Sequence, residues 1–248
     1  MIRVLINGCN GKMGKVLANE IKKVPDIETL CGVDIYDTGD NEFPVFKNVK
    51  EIHDLPDVII DFSVPEASLN ILNFAKEKKI PIVIATTGFS DIQEKKILDI
   101  SKEIPIFKSA NMSYEINLMS KLVSELSLKL ENDDIEIVET HHNRKIDAPS
   151  GTAIFLANRI NNAKNNSMHY VYDRQPKKQK REKTEIGIHS IRGGNEYGKH
   201  QVIFFGENES LEITHNVLSR AVFASGAIKA AFFIESKDSG MYSMDNIC

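Results

Sequence analysis

The first half of the chain alternates short apolar runs with segments whose apolar residues recur at helical spacing. The apolar runs cover residues 3–6, 57–63, 81–85 and 105–108, and the helical patterns cover residues 66–78 and 92–100. Short buried strands that alternate with helices are typical of a parallel, doubly wound sheet. We therefore predict an α/β fold with a Rossmann-like sheet in this half.

The pattern changes in the second half. Residues 115–130 have the spacing of a long amphipathic helix, and residues 134–139 alternate polar and apolar side chains like a half-buried strand. Residues 185–191, 200–205 and 211–217 have the composition of three more strands. These four strands predict a mixed four-stranded sheet in an α+β domain. An apolar helix that includes residues 232–234 follows the last of them.

A glycine-rich turn joins the first predicted strand to the first helix. Its spacing, G-x-x-G-x-x-G, is a variant of the turn that lets a pyrophosphate lie on a helix N-terminus. The turn therefore predicts a dinucleotide site. Its candidate residues are Gly8, Cys9, Asn10, Gly11, Lys12 and Met13.

Asp34 ends the next predicted strand, where an acid accepts hydrogen bonds from the adenosine ribose hydroxyls. A carboxylate there repels a 2′-phosphate, and the following Ile35 and Tyr36 are not basic. We therefore favour NADH over NADPH as the cofactor. Lys12 lies inside the glycine turn and could reach a phosphate, so the use of both cofactors stays open.

Mostly small residues, several of them polar, follow two later strands of the predicted sheet. Ligands of doubly wound sheets bind at the carboxyl ends of the strands. We therefore expect these residues to line a crevice for the nicotinamide and its ribose. They are Ala85, Thr86, Thr87, Ser109, Ala110, Asn111 and Met112.

The densest group of ionisable residues lies in residues 139–153, between a predicted strand and a predicted helix. A helix N-terminus with a glycine and hydroxyl groups suits a small anion, most simply a carboxylate. His141 and Lys145 are candidate proton donors, because both residue types titrate near neutrality when their surroundings shift the pKa. The predicted substrate-binding residues are His142, Ser150, Gly151 and Thr152.

Composition narrows the possible partners. A formal charge of -4 over 248 residues argues against a nucleic-acid binder, and the basic run at residues 177–181 is interpreted as a solvated loop. The cysteines lack metal-ligand spacing, which predicts no metal site and fits a reducing compartment. The sequence has no signal-peptide pattern and no apolar run of roughly 18 to 20 residues. We expect a cytoplasmic protein without a membrane partner.

Residues 139–153 also resemble the signature E-x-H-H-x-x-K-x-D-x-P-S-G-T-A of the dihydrodipicolinate reductase (4-hydroxy-tetrahydrodipicolinate reductase) family. Residues 8–14, 61–63, 85–88 and 111–113 are similar to the family's G-x-x-G-x-M-G, D-F-[ST], G-T-T-G and N-[FM]-S motifs. Ala85 replaces the first glycine of G-T-T-G. Ile35 and Val64 stand where many relatives have a basic residue, and this departure weakens the case for NADPH.

The resemblance implies an NAD(P)H-dependent reduction of 4-hydroxy-tetrahydrodipicolinate, or dihydrodipicolinate, to tetrahydrodipicolinate in lysine and diaminopimelate synthesis. His141 would be the general acid, assisted by Lys145. The resemblance also implies a dinucleotide-binding domain of residues 1–112 and 218–248. Residues 113–217 would form a substrate-binding and oligomerisation domain that binds a small dicarboxylate and associates into a homotetramer.

Two other functions stay open from the sequence. One is another two-domain NAD-dependent dehydrogenase that acts on an amino acid or a semialdehyde, which substrate profiling would identify. The other is a non-catalytic dinucleotide sensor, which would bind NADH without turnover. The cluster of His141, His142 and Lys145 counts against a sensor, because a sensor needs no proton donors.

Overall fold

The computed structural model describes residues 1–37, 39–109, 111–176 and 178–248. These residues form two compact units: unit 1 comprises Met1–Tyr114 and Arg220–Cys248, and unit 2 comprises Glu115–Ser219. The sequence placed the division after residues 112 and 217. Ala110, a predicted cofactor-binding residue, and Lys177 of the basic run lie outside the described residues.

The described residues form the following elements in chain order. The strands are β1 (Ile2–Asn7), β2 (Ile27–Val33), β3 (Val45–Phe46), β4 (Val58–Asp61), β5 (Ile82–Ile84), β6 (Pro105–Lys108), β7 (Asp134–His141), β8 (His169–Val171), β9 (Glu185–Arg192), β10 (Lys199–Phe205), β11 (Ser210–Asn216) and β12 (Gly240–Tyr242). The α-helices are α1 (Lys12–Ile21), α2 (Pro65–Lys78), α3 (Asp91–Ser101), α4 (Tyr114–Lys129), α5 (Gly151–Ala163) and α6 (Ala221–Ile234). Single 3₁₀ turns lie at Val49–Glu51 and Met244–Asn246.

Unit 1 contains a seven-stranded parallel sheet in the order β12-β6-β5-β4-β1-β2-β3. Its central strands are apolar throughout because helices cover both faces. Val4 and Ile6 of β1 pack in one core cluster with residues of α1 and α6, and Leu5 packs in a second with residues of α2 and α3. The predicted doubly wound α/β sheet is confirmed.

The seventh strand, β12, was not predicted. It pairs in parallel with β6 at the edge of the sheet, with Gly240 opposite Pro105 and Tyr242 opposite Phe107. Three residues that include a glycine carry too little apolar pattern to indicate a strand. The pairing, rather than local propensity, makes this segment extended.

Unit 2 contains a five-stranded mixed sheet in the order β11-β10-β7-β9-β8, one strand more than predicted. The additional strand, β8, has only three residues and lies in a polar stretch. The alternation of polar and apolar residues that predicted β7 matches the burial of its side chains, since Ile135 and Ile137 pack against α4 and α5. The sheet is parallel from β7 through β9 to β8 and antiparallel from β7 through β10 to β11.

The interpretation of residues 177–181 as a solvated loop is wrong for Arg181. Its Nε donates to Glu136 Oε1 at 3.1 Å, and its terminal nitrogens donate to Asp134 Oδ1 at 2.9 Å and to the Glu185 carbonyl at 2.7 Å. The carboxylates of β7 thus fix the loop to the sheet through this guanidinium.

Candidate active site

The signature segment places its charged groups between the end of β7 and the start of α5. Glu139 and His141 lie two residues apart on β7 and therefore share one face of the sheet. Glu139 is fully buried and His141 is 9% exposed. The intervening loop ends in a cis Ala148–Pro149 peptide bond directly before the helix cap.

The buried carboxylate of Glu139 is the centre of a hydrogen-bond network. Both of its oxygens accept from Arg192 at 2.8 Å, and Oε1 also accepts from the Ser150 backbone N–H at 3.1 Å. Burial alone would raise the pKa of Glu139, but these donors, with Ser190 and His141, hold it at about 2. Glu139 is therefore ionised over the whole range in which proteins are assayed.

Glu139 fixes the orientation of His141. The Nδ1 of His141 lies 2.6 Å from Glu139 Oε2, and because the ionised carboxylate only accepts, Nδ1 carries the proton. This leaves Nε2 to exchange a proton with a ligand. Burial lowers the pKa of His141, and the charges of Lys145 and Arg192 lower it further against the opposing effect of Glu139. The free site therefore holds a neutral imidazole near neutrality.

Asp147 and Arg192 hold Lys145 and the loop around it. The ammonium group lies 2.8 Å from Asp147 Oδ1, and this contact lowers the pKa of the Asp147 carboxyl. Arg192 donates to the Asp147 carbonyl at 2.7 Å, so the guanidinium that binds Glu139 also ties down the loop. Lys145 is one-fifth exposed, and its present partner is a solvent-exposed carboxylate.

The start of α5 has an open side. The Oγ of Ser150 caps the helix by accepting from the Ala153 N–H at 3.1 Å, and Ser150 itself is 2% exposed. Gly151 is exposed, and a Cβ built on it would meet no atom within 4 Å among the described residues outside its chain neighbours and its own helix. Thr152 follows in the same turn and is partly buried. A helix N-terminus suits an anion in general, and the open space at Gly151 leaves this one accessible.

His142 is tied to the site by its backbone. Its N–H donates to the Glu196 carbonyl at 2.8 Å, which joins the signature loop to the β9–β10 connection. Its buried Nδ1 atom has no hydrogen-bond partner among the residues that the structure describes. The predicted groups of the signature segment thus lie around one helix start in unit 2.

Arg192 and His200 of this network were not predicted. Arg192 pairs with His141 in the register of β9 and β7, and His200 pairs with Glu139 in the register of β10 and β7. The Nε2 of His200 lies 3.0 Å from Ser150 Oγ, and its ring meets that of His141 edge-on with centroids 5.1 Å apart. Burial lowers the pKa of His200 to about 3.

In unit 1 the parallel strands end at the same level. Asn7 of β1 pairs with Asp61 of β4 and with Val33 of β2, and Asp61 pairs with Ile84 of β5, which in turn pairs with Lys108 of β6. The described residues predicted to bind the cofactor follow these ends. They therefore lie along one edge of the sheet.

The glycine turn is shaped by close backbone contacts. Gly8 has φ +79°, and a Cβ on Gly14 would lie 2.1 Å from the Gly8 carbonyl oxygen. No side chain caps α1, whose cap position is Gly11. The glycines therefore let the turn pack tightly on its own backbone, and α1 begins without a side-chain cap, which fits a dinucleotide pyrophosphate.

Asp34 closes the glycine turn from the side. Its carboxylate accepts from the Asn10 N–H at 2.9 Å and from the Tyr36 N–H at 3.2 Å. The Asn10 side chain in turn donates to the Tyr36 carbonyl. The acid thus links the turn to the segment after β2.

The remaining predicted cofactor residues differ in how much side chain they present. Cys9, Thr86 and Met112 are buried, and the Thr86 hydroxyl oxygen accepts from the Ser63 N–H at 2.9 Å. Their side chains are almost entirely covered by protein. Lys12 and Thr87 are exposed, and the residues of intermediate exposure are Asn10, Met13, Ala85, Ser109 and Asn111.

Comparison with known proteins identifies the family. Residues 2–112 match the family model described as dihydrodipicolinate reductase, N-terminus, and residues 115–248 match the one described as dihydrodipicolinate reductase, C-terminus. The chain belongs to the dihydrodipicolinate reductase family. The resemblance predicted from the signature is confirmed, and the chain is an NAD(P)H-dependent oxidoreductase.

Individual relatives span the whole chain. A 4-hydroxy-tetrahydrodipicolinate reductase of Caldanaerobacter subterraneus is 50% identical over 100% of this chain and 98% of its own length. A 4-hydroxy-tetrahydrodipicolinate reductase of Clostridium tetani is 48% identical over 99% of this chain and 96% of its own length. A solved dipicolinate-bound dihydrodipicolinate reductase from Paenisporosarcina is 27% identical, with a TM-score of 0.84 and complete coverage of both chains.

Two features are absent from the described residues. Among them, no helix has both the length and the apolar character that a membrane crossing requires. Within the same residues, no group of three or more histidine, cysteine, aspartate and glutamate side chains is arranged to hold a metal ion.

Proposed function

We propose that the chain reduces 4-hydroxy-tetrahydrodipicolinate, or its dehydrated dihydro form, to tetrahydrodipicolinate in lysine and diaminopimelate synthesis. The observation that carries the proposal is the 2.6 Å contact between Glu139 and His141 beside the open start of α5. It combines an oriented proton carrier with an anion-binding helix end. The names of the full-length relatives and the family of both halves support the same reaction.

The substrate would bind in unit 2. One carboxylate would bind against the backbone of Gly151 at the start of α5, where the open space admits a close approach, with Thr152 in the same turn. The Lys145 ammonium would bind negative charge in exchange for Asp147, an exposed pair of the kind that contributes only about 0–1 kcal/mol. His142 would complete the binding surface. The dipicolinate bound by the Paenisporosarcina reductase is a dicarboxylate of this type.

The dinucleotide would bind in unit 1, with its pyrophosphate over Gly8, Gly11 and Gly14 and its adenosine ribose at Asp34. The close backbone contacts of the turn and the uncapped start of α1 support this placement. When bound, NAD(P)H supplies the hydride of the reduction. Thr87, Ser109 and Asn111 would line the adjoining strand ends, with the backbones of Ala85, Thr86 and Met112.

The protein must supply the proton. His141 is neutral in the free site, and a dianionic substrate beside it would raise its pKa, because nearby negative charge favours the imidazolium. His141 would then donate from Nε2 while Glu139 stabilises the ring through Nδ1. Lys145 would assist as a second donor and as the partner of negative charge. A proton-transfer group of this type contributes roughly 10²- to 10⁴-fold in rate.

We propose NADH as the favoured cofactor. Asp34 repels a 2′-phosphate, and the exposed residues that follow it and β4 are Ile35 and Val64 rather than basic side chains. Lys12 is exposed in the turn and gives NADPH one cationic contact. We expect activity with both cofactors and a higher kcat/KM with NADH.

We also propose a homotetramer formed through unit 2. Ile191 and Phe205 of its sheet are 50% and 43% exposed, which leaves apolar surface to bury. Light scattering of the purified protein should give four chains per particle. A monomer at micromolar concentration would contradict this part of the proposal.

The reaction is tested by following NADH and NADPH oxidation at 340 nm. The substrate would be generated in place from pyruvate and aspartate semialdehyde by the preceding synthase. Oxidation that depends on the synthase supports the proposal, and the two rates measure the cofactor preference. Folded protein that oxidises neither cofactor would refute it.

Two variants test the site assignments. His141→Gln and Lys145→Ala should each reduce kcat by roughly 10²- to 10⁴-fold, while NADH affinity stays that of the wild type because the dinucleotide site is in unit 1. Arg144→Gln is the matched control, since this exposed residue of the same loop hydrogen-bonds, within the described part of the chain, loop side chains at Asn143 and Asn195. Near-normal turnover of either test variant would reject its assigned role.

A further inference from the structure

His200 is a buried imidazole with one polar contact. It is 3% exposed, and its Nε2 lies 3.0 Å from Ser150 Oγ. Its Nδ1 is also buried and has no hydrogen-bond partner among the residues that the structure describes. Histidines that serve only as apolar filling are replaced at little cost by apolar residues, so a polar ring here calls for a specific use of its nitrogen atoms.

The contacts of His200 decide its tautomer. A buried N–H without a partner is rarer than a buried acceptor without one. The proton of the neutral ring therefore belongs on Nε2, facing Ser150, and the bare lone pair belongs on Nδ1. In this tautomer His200 donates to Ser150 Oγ rather than accepting from it.

That assignment determines what the Ser150 hydroxyl can do. A serine oxygen has two lone pairs and one hydrogen. Ser150 Oγ accepts from the Ala153 N–H at 3.1 Å and, in this tautomer, from His200 at 3.0 Å. Both lone pairs are then used, and the hydroxyl hydrogen remains as a donor at the first turn of α5.

We propose that His200 is a positioning residue that donates from Nε2 to Ser150 and thereby directs the Ser150 hydroxyl hydrogen to the substrate carboxylate. This rests on the proposed function, in which that carboxylate binds at the start of α5. The opposite tautomer would draw the hydrogen towards His200 and remove one donor from the anion site. The family signature contains Ser150 but not His200.

The surroundings of His200 keep the ring neutral. His141 meets it edge-on with centroids 5.1 Å apart, Glu139 and His215 are its register partners on β7 and β11, and Lys145 is the nearby cation. Burial lowers the pKa of His200, and the charge of a protonated His141 would oppose a second proton. His200 can therefore act as a fixed donor while His141 gains and loses its proton.

The first test measures the tautomer in the wild-type protein. Long-range ¹H–¹⁵N spectra of the histidine rings distinguish a protonated Nε2 from a protonated Nδ1 without substrate or turnover. We expect the Nε2–H form for His200 in protein without ligand. The Nδ1–H form would overturn the proposal even if the reaction is as proposed.

The second test measures dicarboxylate binding. His200→Phe keeps a neutral ring but removes the donor, and we expect the Kd of dipicolinate and the KM of the substrate to rise about tenfold, as for one lost hydrogen bond to a charged group. We expect kcat to change less than about twofold. His200→Gln, whose amide N–H can take the place of Nε2–H, should restore most of the affinity.

A double-mutant cycle separates positioning from general damage. If His200 acts through Ser150, adding His200→Phe to Ser150→Ala should leave the dipicolinate Kd unchanged, because the hydroxyl is already absent. If the two substitutions instead multiply each other's effect on the dipicolinate Kd, or if His200→Phe alone has the wild-type Kd, the proposal is overturned. His215→Phe is the matched control, an imidazole-to-phenyl change on the neighbouring strand directly opposite His200. NADH affinity monitors folding, and wild-type protein that neither turns over substrate nor binds dipicolinate would count against the proposed function instead.

Discussion

The two candidate sites of this chain are built by different means. In unit 1 the glycine turn is defined by backbone contacts, such as the 2.1 Å approach that a Cβ on Gly14 would make to the Gly8 carbonyl. In unit 2 the site is defined by buried charge, with a fully buried Glu139 held by Arg192. A site built from backbone shape tolerates changes at its rim, whereas a site built from buried charge depends on every partner.

This difference follows from what each site has to do. A pyrophosphate needs close access to N–H groups, which glycine provides at no electrostatic cost. A proton carrier needs a defined tautomer and a shifted pKa, which only neighbouring charges and burial can provide. The largest effects of mutation are therefore expected at the charges of unit 2.

Glu139→Gln should have the largest effect. It removes the charge that stabilises an imidazolium at His141, and it leaves the Arg192 guanidinium without its anion. We expect kcat to fall roughly 10²- to 10⁴-fold, comparable to loss of the proton carrier itself. Steady-state kinetics with saturating NADH measures this.

The pH dependence of that loss identifies its cause. Glu139 opposes the lowering of the His141 pKa, so its removal should lower that pKa further and make the defect smaller at acidic pH. Asp147→Asn serves as the control, because it removes a carboxylate from the same region without touching His141. A defect that is the same at every pH would show that Glu139 does not act through the charge state of His141.

Two glycine substitutions compare the sites directly. Gly14→Ala forces a Cβ against the backbone of Gly8 and Cys9, and we expect a loss of about 1–3 kcal/mol in the free energy of unfolding together with weaker NADH binding. Gly151→Ala meets no atom within 4 Å, so stability should be unchanged or slightly higher. Its KM for the substrate should nevertheless rise about tenfold, equivalent to about 1.4 kcal/mol, if a carboxylate approaches that backbone.

Thermal unfolding and the two ligand affinities check this pair. Each substitution should affect only the ligand of its own unit, dipicolinate for Gly151→Ala and NADH for Gly14→Ala. If Gly151→Ala binds dipicolinate normally, the carboxylate does not lie against the start of α5.

Acid should lower the free energy of unfolding of the protein through His200. The pKa of His200 in the folded protein is about 3, whereas a histidine in the unfolded chain titrates near its ordinary value of 6.5. Between these values the unfolded chain binds a proton that the folded chain does not, so stability is fully present above about pH 6.5 and falls by about 1.4 kcal/mol per pH unit on acidification. His200→Phe should remove this contribution.

Urea unfolding at pH 7, 6 and 5 measures the slope. Burial also lowers the pKa values of His141 and His215. The stability of His200→Phe should therefore still fall on acidification, but with a smaller slope than in the wild type. The exposed His53 of unit 1, changed to Gln, is the control and should leave the slope unchanged. An equal slope in wild type and His200→Phe would mean that His200 is protonated in the folded protein.

The sequence predicted the parts of the molecule that depend on neighbours along the chain. The glycine turn and the helix start at Ser150 and Gly151 each lie within one strand–turn–helix segment, and the fold class followed from the alternation of such segments. Arg192 and His200 were missed because they reach Glu139 and Ser150 through strand register across about fifty residues of chain. The three-residue strands β8 and β12 were missed for the same reason, since pairing rather than composition makes them extended.

The smallest effect is expected at the rim of the dinucleotide site, and it tests whether that site tolerates change. Ile35 is 72% exposed and directly follows Asp34, so Ile35→Arg places a guanidinium where a 2′-phosphate would lie. We expect kcat/KM with NADPH to rise about tenfold, equivalent to about 1.4 kcal/mol, with little change for NADH or for thermal stability. Leu98→Arg, which adds the same charge to an exposed position of α3, should leave the ratio unchanged. If Ile35→Arg instead weakens the binding of both cofactors equally, the adenosine ribose does not bind at Asp34. The dinucleotide site would then not be the tolerant backbone site that we contrast with the charged site of unit 2.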